Sequence, residues 1–144
     1  MATYKEIKGV TVQTRDADPT LNVGSWSSGG SLNTTRIQMG GTGIQTASIV
    51  AGGGPTGLAV VEQYNGSSWT EVADLSSQRY GLGAAGTSTA AVAFAGRYDP
   101  AGNKNETEVW DGSSWTEVNN LNTARYGIGP VSYTHLTLPT NREV

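Results

Sequence analysis

The chain has 144 residues with 20 glycines, 15% charged residues and a formal net charge of −3. This length suits one ordinary domain, and the glycine content predicts many turns and few exposed helices. The net negative charge provides no positive electrostatic field that would attract nucleic acid or an anionic membrane. With no cysteine and a single histidine, His135, the composition disfavours disulfides, thiolate metal sites and most acid–base enzymes, and we expect no metal and no cofactor.

Residues 1–22 lie outside any repeat and are predicted to form an N-terminal arm. The opening MATYKEIKGV lacks the apolar core of a signal peptide, and no apolar run approaches the ~18 residues of a membrane span. We therefore expect a soluble protein that is not exported. The arm could pair as a strand with the last unit of the fold or anchor the chain to a larger assembly.

An internal repeat dominates the rest of the chain. The segment 62–81 recurs as 108–127, and a weaker copy runs from Gly24 to Arg36. The period is about 45 residues, which is typical of propellers and related arrays. All variation in unit length falls between the glycine at Gly53 or Gly96 and the following tryptophan, which predicts a variable loop there.

Each unit reads as four short strands. A reversal is expected near Gly43 or Gly86, and Asn65-Gly66 or Asp111-Gly112 predicts a type I′ hairpin turn. One set of four strands is predicted near 79–84, 89–96, 107–110 and 114–118.

The period and the four strands define the predicted fold class. A four-stranded sheet cannot bury both of its faces alone, so such units stack as propeller blades. A closed propeller needs about four to eight blades. We therefore predict an all-β, partial β-propeller of two to three four-stranded antiparallel blades that does not close into a ring. The repeats cover 23–130, with units near 23–65, 66–111 and a truncated 112–130.

The order Gly-Gly, Glu-x-Tyr, Trp and Leu-x-x-x-Arg resembles the kelch repeat of the galactose-oxidase-like β-propellers. The resemblance implies that its landmarks lock one blade to the next and carry no activity. Ala95 replaces the first glycine in the second unit. The landmarks are Gly52, Gly53, Tyr64, Trp69, Arg79, Gly96, Trp110, Trp115 and Arg125.

The amino-acid sequence between the landmarks shows a second resemblance. Gly-Ser-Ser-Trp-Thr-Glu-Val, Leu-Asn-Thr-Ala-Arg-Tyr-Gly and the opening Ala-Thr-Tyr-Lys-Glu-Ile-Lys-Gly-Val are similar to kelch-like proteins of environmental tailed-phage genomes, which implies a virion or tail-associated location. Residues 131–144 depart from the repeat and resemble translated sequencing-adapter DNA. We expect either that these 14 residues are not biological and the gene continues beyond them, or that they are a true divergent end.

The variable loop of the second unit is the best candidate contact surface, because repeat proteins place recognition on such loops. The competing interpretation is an ordinary solvated loop. Its candidate residues are Arg97, Tyr98, Asp99, Asn103, Lys104 and Asn105. A protein or glycan surface is the expected partner, with no nucleic acid and no membrane.

Two other groups have both a functional and a structural interpretation. Arg36, Arg79 and Arg125 could form an anion-binding ring, but local pairing with carbonyls or with an acid such as Asp74 is favoured. The aromatic residues could stack sugar rings, but their regular spacing favours packing between blades. These are Trp26, Tyr64, Trp69, Trp110 and Trp115.

Acidic residues occur in two places where calcium binding could be considered. Neither Asp16 and Asp18 nor Glu106 and Glu108 matches a loop with enough spaced oxygen ligands. We expect solvated carboxylates at both places and assign no role to His135.

The leading functional hypothesis is a non-enzymatic binding or structural module, located in the virion if phage-derived and otherwise soluble in the cytoplasm. One alternative is a fragment of a galactose-oxidase-like enzyme whose active site is missing. That family's implied copper ligands and Cys-crosslinked tyrosine have no counterpart in a chain without cysteine. Another alternative is a truncated product without independent function. An open propeller also exposes apolar sheet faces, which predicts a homo-oligomer that completes the ring or poor solubility.

Overall fold

The computed structural model describes residues 28–129, which consist of strands and turns with no helix among them. The N-terminal arm 1–22, which contains Asp16 and Asp18, lies outside the described residues, as do Trp26 and the tail 131–144 with His135. The structure within this range is the all-β architecture that the repeat predicts.

Ten strands build the described region. The first sheet contains β1 (Gly40–Ile44), β2 (Ala47–Ala51), β3 (Val61–Tyr64) and β4 (Trp69–Val72). The second contains β5 (Gly83–Gly86), β6 (Ala91–Phe94), β9 (Thr107–Trp110) and β10 (Trp115–Val118), with a small hairpin of β7 (Arg97–Tyr98) and β8 (Gly102–Asn103) between β6 and β9. Both large sheets are antiparallel with strands in chain order, and they are not closed into a ring.

The reversals predicted near Gly43 and Gly86 lie directly beyond these glycines, at residues 45–46 and 87–90. Both glycines lie in strands, where Gly43 pairs with Ser48 and Gly86 with Ala91, and the chain reverses beyond them. Gly86 has a φ of 117°, and a Cβ there would lie 2.2 Å from the Ala90 carbonyl oxygen. The glycine therefore permits the close approach of the two strands rather than the turn itself.

The predicted type I′ turn is also wrong. Tyr64 pairs with Trp69, so four residues form the loop, and Gly66 has a positive φ of 96° while Asn65 does not. The Asn65 side-chain oxygen accepts the backbone N–H groups of Ser67 and Ser68 at 3.0 Å each. An Asx-type loop thus replaces the two-residue turn, because the side chain supplies a local acceptor.

The core lies where the two sheets pack against each other. Ile49, Ala51 and Val61 of the first sheet form one buried cluster with Leu82 and Trp110 of the second. Burial of a side chain such as Ile or Val contributes about 1.5 to 3 kcal/mol. At the β1–β5 contact the sheets come so close that a Cβ at Gly40 would lie 3.0 Å from Leu82 Cγ. This packing of neighbouring sheets is that of a partial propeller.

Candidate interaction surface

The hairpin β7–β8 is the insertion that distinguishes the second unit from the first. Backbone hydrogen bonds run in both directions between Tyr80 and Arg97, with N–O distances of 2.8 Å. Tyr98 lies against Gly57 of the first sheet's β2–β3 loop, where a Cβ would be 2.9 Å from Tyr98 Cδ2. Asp99 N–H donates to the Thr56 carbonyl at 3.4 Å. The insertion is therefore folded and contacts the loop of the preceding unit.

A polar network at the base of this hairpin joins Tyr80, Arg97 and Asp99. The Tyr80 hydroxyl donates to Asp99 Oδ2 at 2.8 Å, and Arg97 Nε donates to Oδ1 at 2.8 Å. These donors lower the pKa of the Asp99 carboxyl, with the Tyr80 hydrogen bond contributing most. In return, the hydrogen bond to Asp99 raises the pKa values of both Tyr80 and Arg97. All three groups are thus held in their ordinary charge states at neutral pH.

The network keeps an accessible outer surface. The Arg97 and Asp99 side chains remain 37% and 40% exposed. The Arg97 guanidinium carbon lies 5.6 Å from the ring centroid of Tyr126, which is itself exposed and belongs to the start of the third unit. A cation–π contact of this kind is worth about 0.5 to 1 kcal/mol at exposed sites. The surface combines paired charges with the rings of Tyr98 and Tyr126.

The structure separates the six candidate loop residues into two groups. Arg97, Tyr98 and Asp99 come together on the hairpin, and Asn103 lies exposed on its second strand. Lys104 and Asn105 leave the hairpin. The Lys104 ammonium pairs with Glu106 Oε1 at 2.9 Å. The Asn105 amide donates to the Leu121 carbonyl at 3.1 Å and ties the loop to the third unit.

Sequence reasoning missed the two tyrosines that complete this surface, Tyr80 and Tyr126. Both follow the repeated arginine in the phrase Arg-Tyr-Gly. Their recurrence at one repeat position was the available signal, but nothing in the sequence showed that the inserted loop folds back over them.

The arginine landmarks do not form an open anion-binding ring. The guanidiniums of Arg36 and Arg79 are fully buried and pair with Glu62 and Glu108. Arg79 also donates to the Glu106 carbonyl at 2.9 Å. The acidic partner is therefore a glutamate of the third strand in each sheet, and not the exposed Asp74.

The environment of Glu62 shows how this pairing works. Burial alone raises the pKa of the Glu62 carboxyl, but hydrogen bonds from the backbone of Asn33 and Thr34 and from the Arg36 guanidinium lower it by more. Asn33 N–H donates to Glu62 Oε2 at 2.7 Å. The carboxylate thus stays charged and connects the segment before β1 to the middle of the sheet.

The aromatic landmarks pack rather than present open platforms. Tyr64 and Trp69 face each other across β3 and β4 with ring centroids 5.0 Å apart, and Trp110 and Trp115 do the same at 5.4 Å. Trp110 is 4% exposed in the core between the sheets.

Residues 28–129 contain no cluster of three His, Cys, Asp or Glu side chains that could hold a metal ion. The expectation of solvated carboxylates is wrong for Glu108, which is fully buried against Arg79, and Glu106 pairs with Lys104. In the same part of the chain, no helix is long and apolar enough to span a bilayer.

In comparisons with known proteins, no family model and no curated protein sequence matches this chain.

Proposed function

We propose that the chain is a non-enzymatic binding and structural module of the kelch-like propeller type, consistent with a virion or tail-associated role in a tailed phage. Its sheets act as a rigid scaffold, and the hairpin β7–β8 contacts a protein or glycan surface. The supporting observation is that the inserted hairpin is held by neighbouring units while the Arg97 and Asp99 side chains remain more than one-third exposed.

The chemistry of the hairpin suits surface recognition. A preformed loop loses less conformational entropy on binding than a mobile one. The exposed Tyr126 ring lies beside the Arg97–Asp99 pair, so apolar contact and hydrogen bonding are available together. Tyrosine and arginine are enriched among the residues that dominate binding energy at interfaces.

The test is binding of the full chain to immobilised bacterial surface polysaccharides and to whole bacterial cells. Arg97→Ala and Tyr98→Ala should each weaken binding by about tenfold or more, the scale of a residue that dominates an interface. Glu71→Ala, at an exposed position of β4, is the matched control and should bind as the parent does. Equal binding by all variants would refute a role for the hairpin.

Association between copies is a second and separate part of the proposal. In residues 28–129, the two sheets do not close a ring and leave sheet faces without a neighbouring sheet, and apolar faces of this kind drive association.

A further inference from the structure

One face of the second sheet is partly exposed and apolar. We define the trailing face as Val92, Phe94, Thr107 and Val109. Val92 pairs with Val109 and Phe94 with Thr107 across β6 and β9. Val109 is 38% exposed, whereas the alternate residues Glu108 and Trp110 are buried on the other side.

The equivalent face of the first sheet is already covered by a neighbouring sheet. Its counterparts in the repeat are Ile49, Ala51, Val61 and Gln63, in the same register. Ile49 and Ala51 are each 2% exposed and Val61 is 0% exposed, because the second sheet covers them. The trailing face therefore repeats a surface that the molecule already uses as an interface between sheets.

The opposite end of the described region carries the complementary half. Met39, just before β1, is 39% exposed, while its repeat counterpart Leu82 is 4% exposed in the core between the sheets. Ile37 is likewise exposed, while its counterpart Tyr80 is buried. We define the leading face as the side of the first sheet that carries Met39 and Gly41.

The backbone around the inner ends of the sheets follows the same repeat. Gly81 N–H donates to the Gln38 carbonyl at 2.7 Å, and Gly127 N–H donates to the Gly81 carbonyl at 2.8 Å. Gly53 N–H donates to the Arg79 carbonyl, and Gly96 N–H to the Arg125 carbonyl, both at 2.9 Å. Residues 121–127 therefore occupy, at the end of the second sheet, the place that residues 75–81 occupy at the end of the first.

Among residues 28–129, Arg125 has no acidic partner of the kind that its counterparts have. The Arg36 and Arg79 guanidiniums are buried against glutamates. Arg125 is exposed, and its Nε donates to the nearby Thr123 carbonyl at 3.3 Å. Residues 32–38 are the repeat counterpart of residues 121–127, and their arginine, Arg36, already pairs with Glu62. If residues 32–38 of another copy occupied this place, the arginine there would have a glutamate partner.

We propose that a second copy of this chain docks its leading face on the trailing face, head to tail, with its residues 32–38 taking the place of residues 121–127. The arrangement rests on the proposed scaffold function and extends it. It forms the same backbone bonds, covers the exposed Val109 and replaces an exposed arginine by a buried ion pair. A heterologous contact of this kind can propagate or close into a ring.

The existing interface between sheets fixes the expected neighbours. Gln63 Nε2 donates to the Ser88 carbonyl at 2.7 Å. The repeat counterpart of Gln63 is Val109, and that of Ser88 is Gln45, which is exposed. Val109 of one copy should therefore lie beside Gln45 of the next.

A cysteine cross-linking experiment tests this arrangement directly, because the chain has no cysteine of its own. We would prepare full-length Val109→Cys and Gln45→Cys chains and oxidise them separately and as a mixture. The mixture should give a disulfide-linked dimer that neither chain alone gives. Glu71→Cys mixed with Val109→Cys is the matched control and should not cross-link.

Light scattering of the full chain over a range of concentrations provides the second measurement. The mass should rise with concentration, and Val109→Lys should weaken association by about tenfold or more, because an unpaired ammonium would be buried. Efficient dimers of Val109→Cys alone, a monomer at every concentration, or association unaffected by Val109→Lys would overturn the proposal. Docking would displace Tyr126 with the rest of residues 121–127, but the Arg97→Ala binding test does not use Tyr126, so failure of one proposal can be told apart from failure of the other.

Discussion

The buried pair of Arg79 and Glu108 provides the sharpest test of how the second sheet is held together. Both side chains are fully buried. Burial lowers the pKa of the Arg79 guanidinium, and the Glu108 carboxylate opposes this effect. Glu108 Oε2 also accepts the Ser76 backbone N–H at 2.8 Å. Removal of the charge from Glu108 should therefore leave a buried cation without its counter-charge.

We expect Glu108→Gln to reduce the free energy of unfolding by about 3 to 5 kcal/mol, the cost of breaking a buried pair from one side. Domains of this size have total stabilities of about 5 to 15 kcal/mol, so the loss is large. Urea unfolding followed by tryptophan fluorescence measures it. Glu117→Gln is the matched control, because Glu117 lies opposite Glu108 on β10 but is exposed, and it should change stability by less than about 0.5 kcal/mol.

A double-mutant cycle separates the pair from its surroundings. Arg79→Met with Glu108→Leu should cost less than the sum of the two single substitutions, because neither charge is then left buried alone. A cost below about 1 kcal/mol for Glu108→Gln, or additive single effects, would refute the view that these side chains act as a coupled pair.

Three further predictions concern the backbone and one turn. Gly52→Ala should reduce the free energy of unfolding in urea by about 2 to 4 kcal/mol. The reason is that φ is 64° and the new Cβ would lie 2.6 Å from the Arg79 carbonyl oxygen. An unchanged urea midpoint would contradict this packing. Gln38→Gly should stabilise by about 0.5 to 1 kcal/mol, because Gln38 has a φ of 55° where the next unit has glycine; a lower melting temperature would refute this. Hydrogen bonds from the backbone and hydroxyl groups of Ser114 and Ser113 lower the pKa of Asp111 to about 2. The contribution of the Asp111 carboxylate to folding stability is therefore complete above its ordinary pKa and is lost as the pH falls towards 2. Asp111→Asn should flatten the fall in stability between about pH 4 and pH 2, and an unchanged acid titration would contradict the assignment.

The sequence predicted the sheets because their signal is local and repeated. Trp69 and Trp115 follow the same turn residues, and alternation of side chains marks the strands on either side. The contact role of the inserted loop was predicted from its variable length and from its charged, aromatic and amide side chains, and it stays a prediction. Its folding into a hairpin over Tyr80 depends on contacts between units, which a single repeat does not encode.

The pairing of the arginine landmarks shows where local reasoning stops. Asp74 is close to Arg79 in the sequence, yet the structure pairs Arg79 with Glu108, 29 residues away. The register of β6 and β9 decides this, because it turns Glu108 inward opposite Ala93 while Asp74 remains exposed. The sequence contained both partners, but only the strand register selects between them.

Ala95 shows that a substitution in a repeat can preserve geometry. The sequence has alanine where the first unit has Gly52, which suggests a different turn. Both residues nevertheless adopt left-handed φ angles, 59° for Ala95 and 64° for Gly52. The alanine therefore tolerates strain of about 1 to 2 kcal/mol. At Gly52 a Cβ would also meet Leu82 Cδ2 at 3.0 Å, and this side chain of the second sheet is packed in the core. The glycine requirement at Gly52 is thus set by the packed Leu82 side chain as well as by the backbone angle.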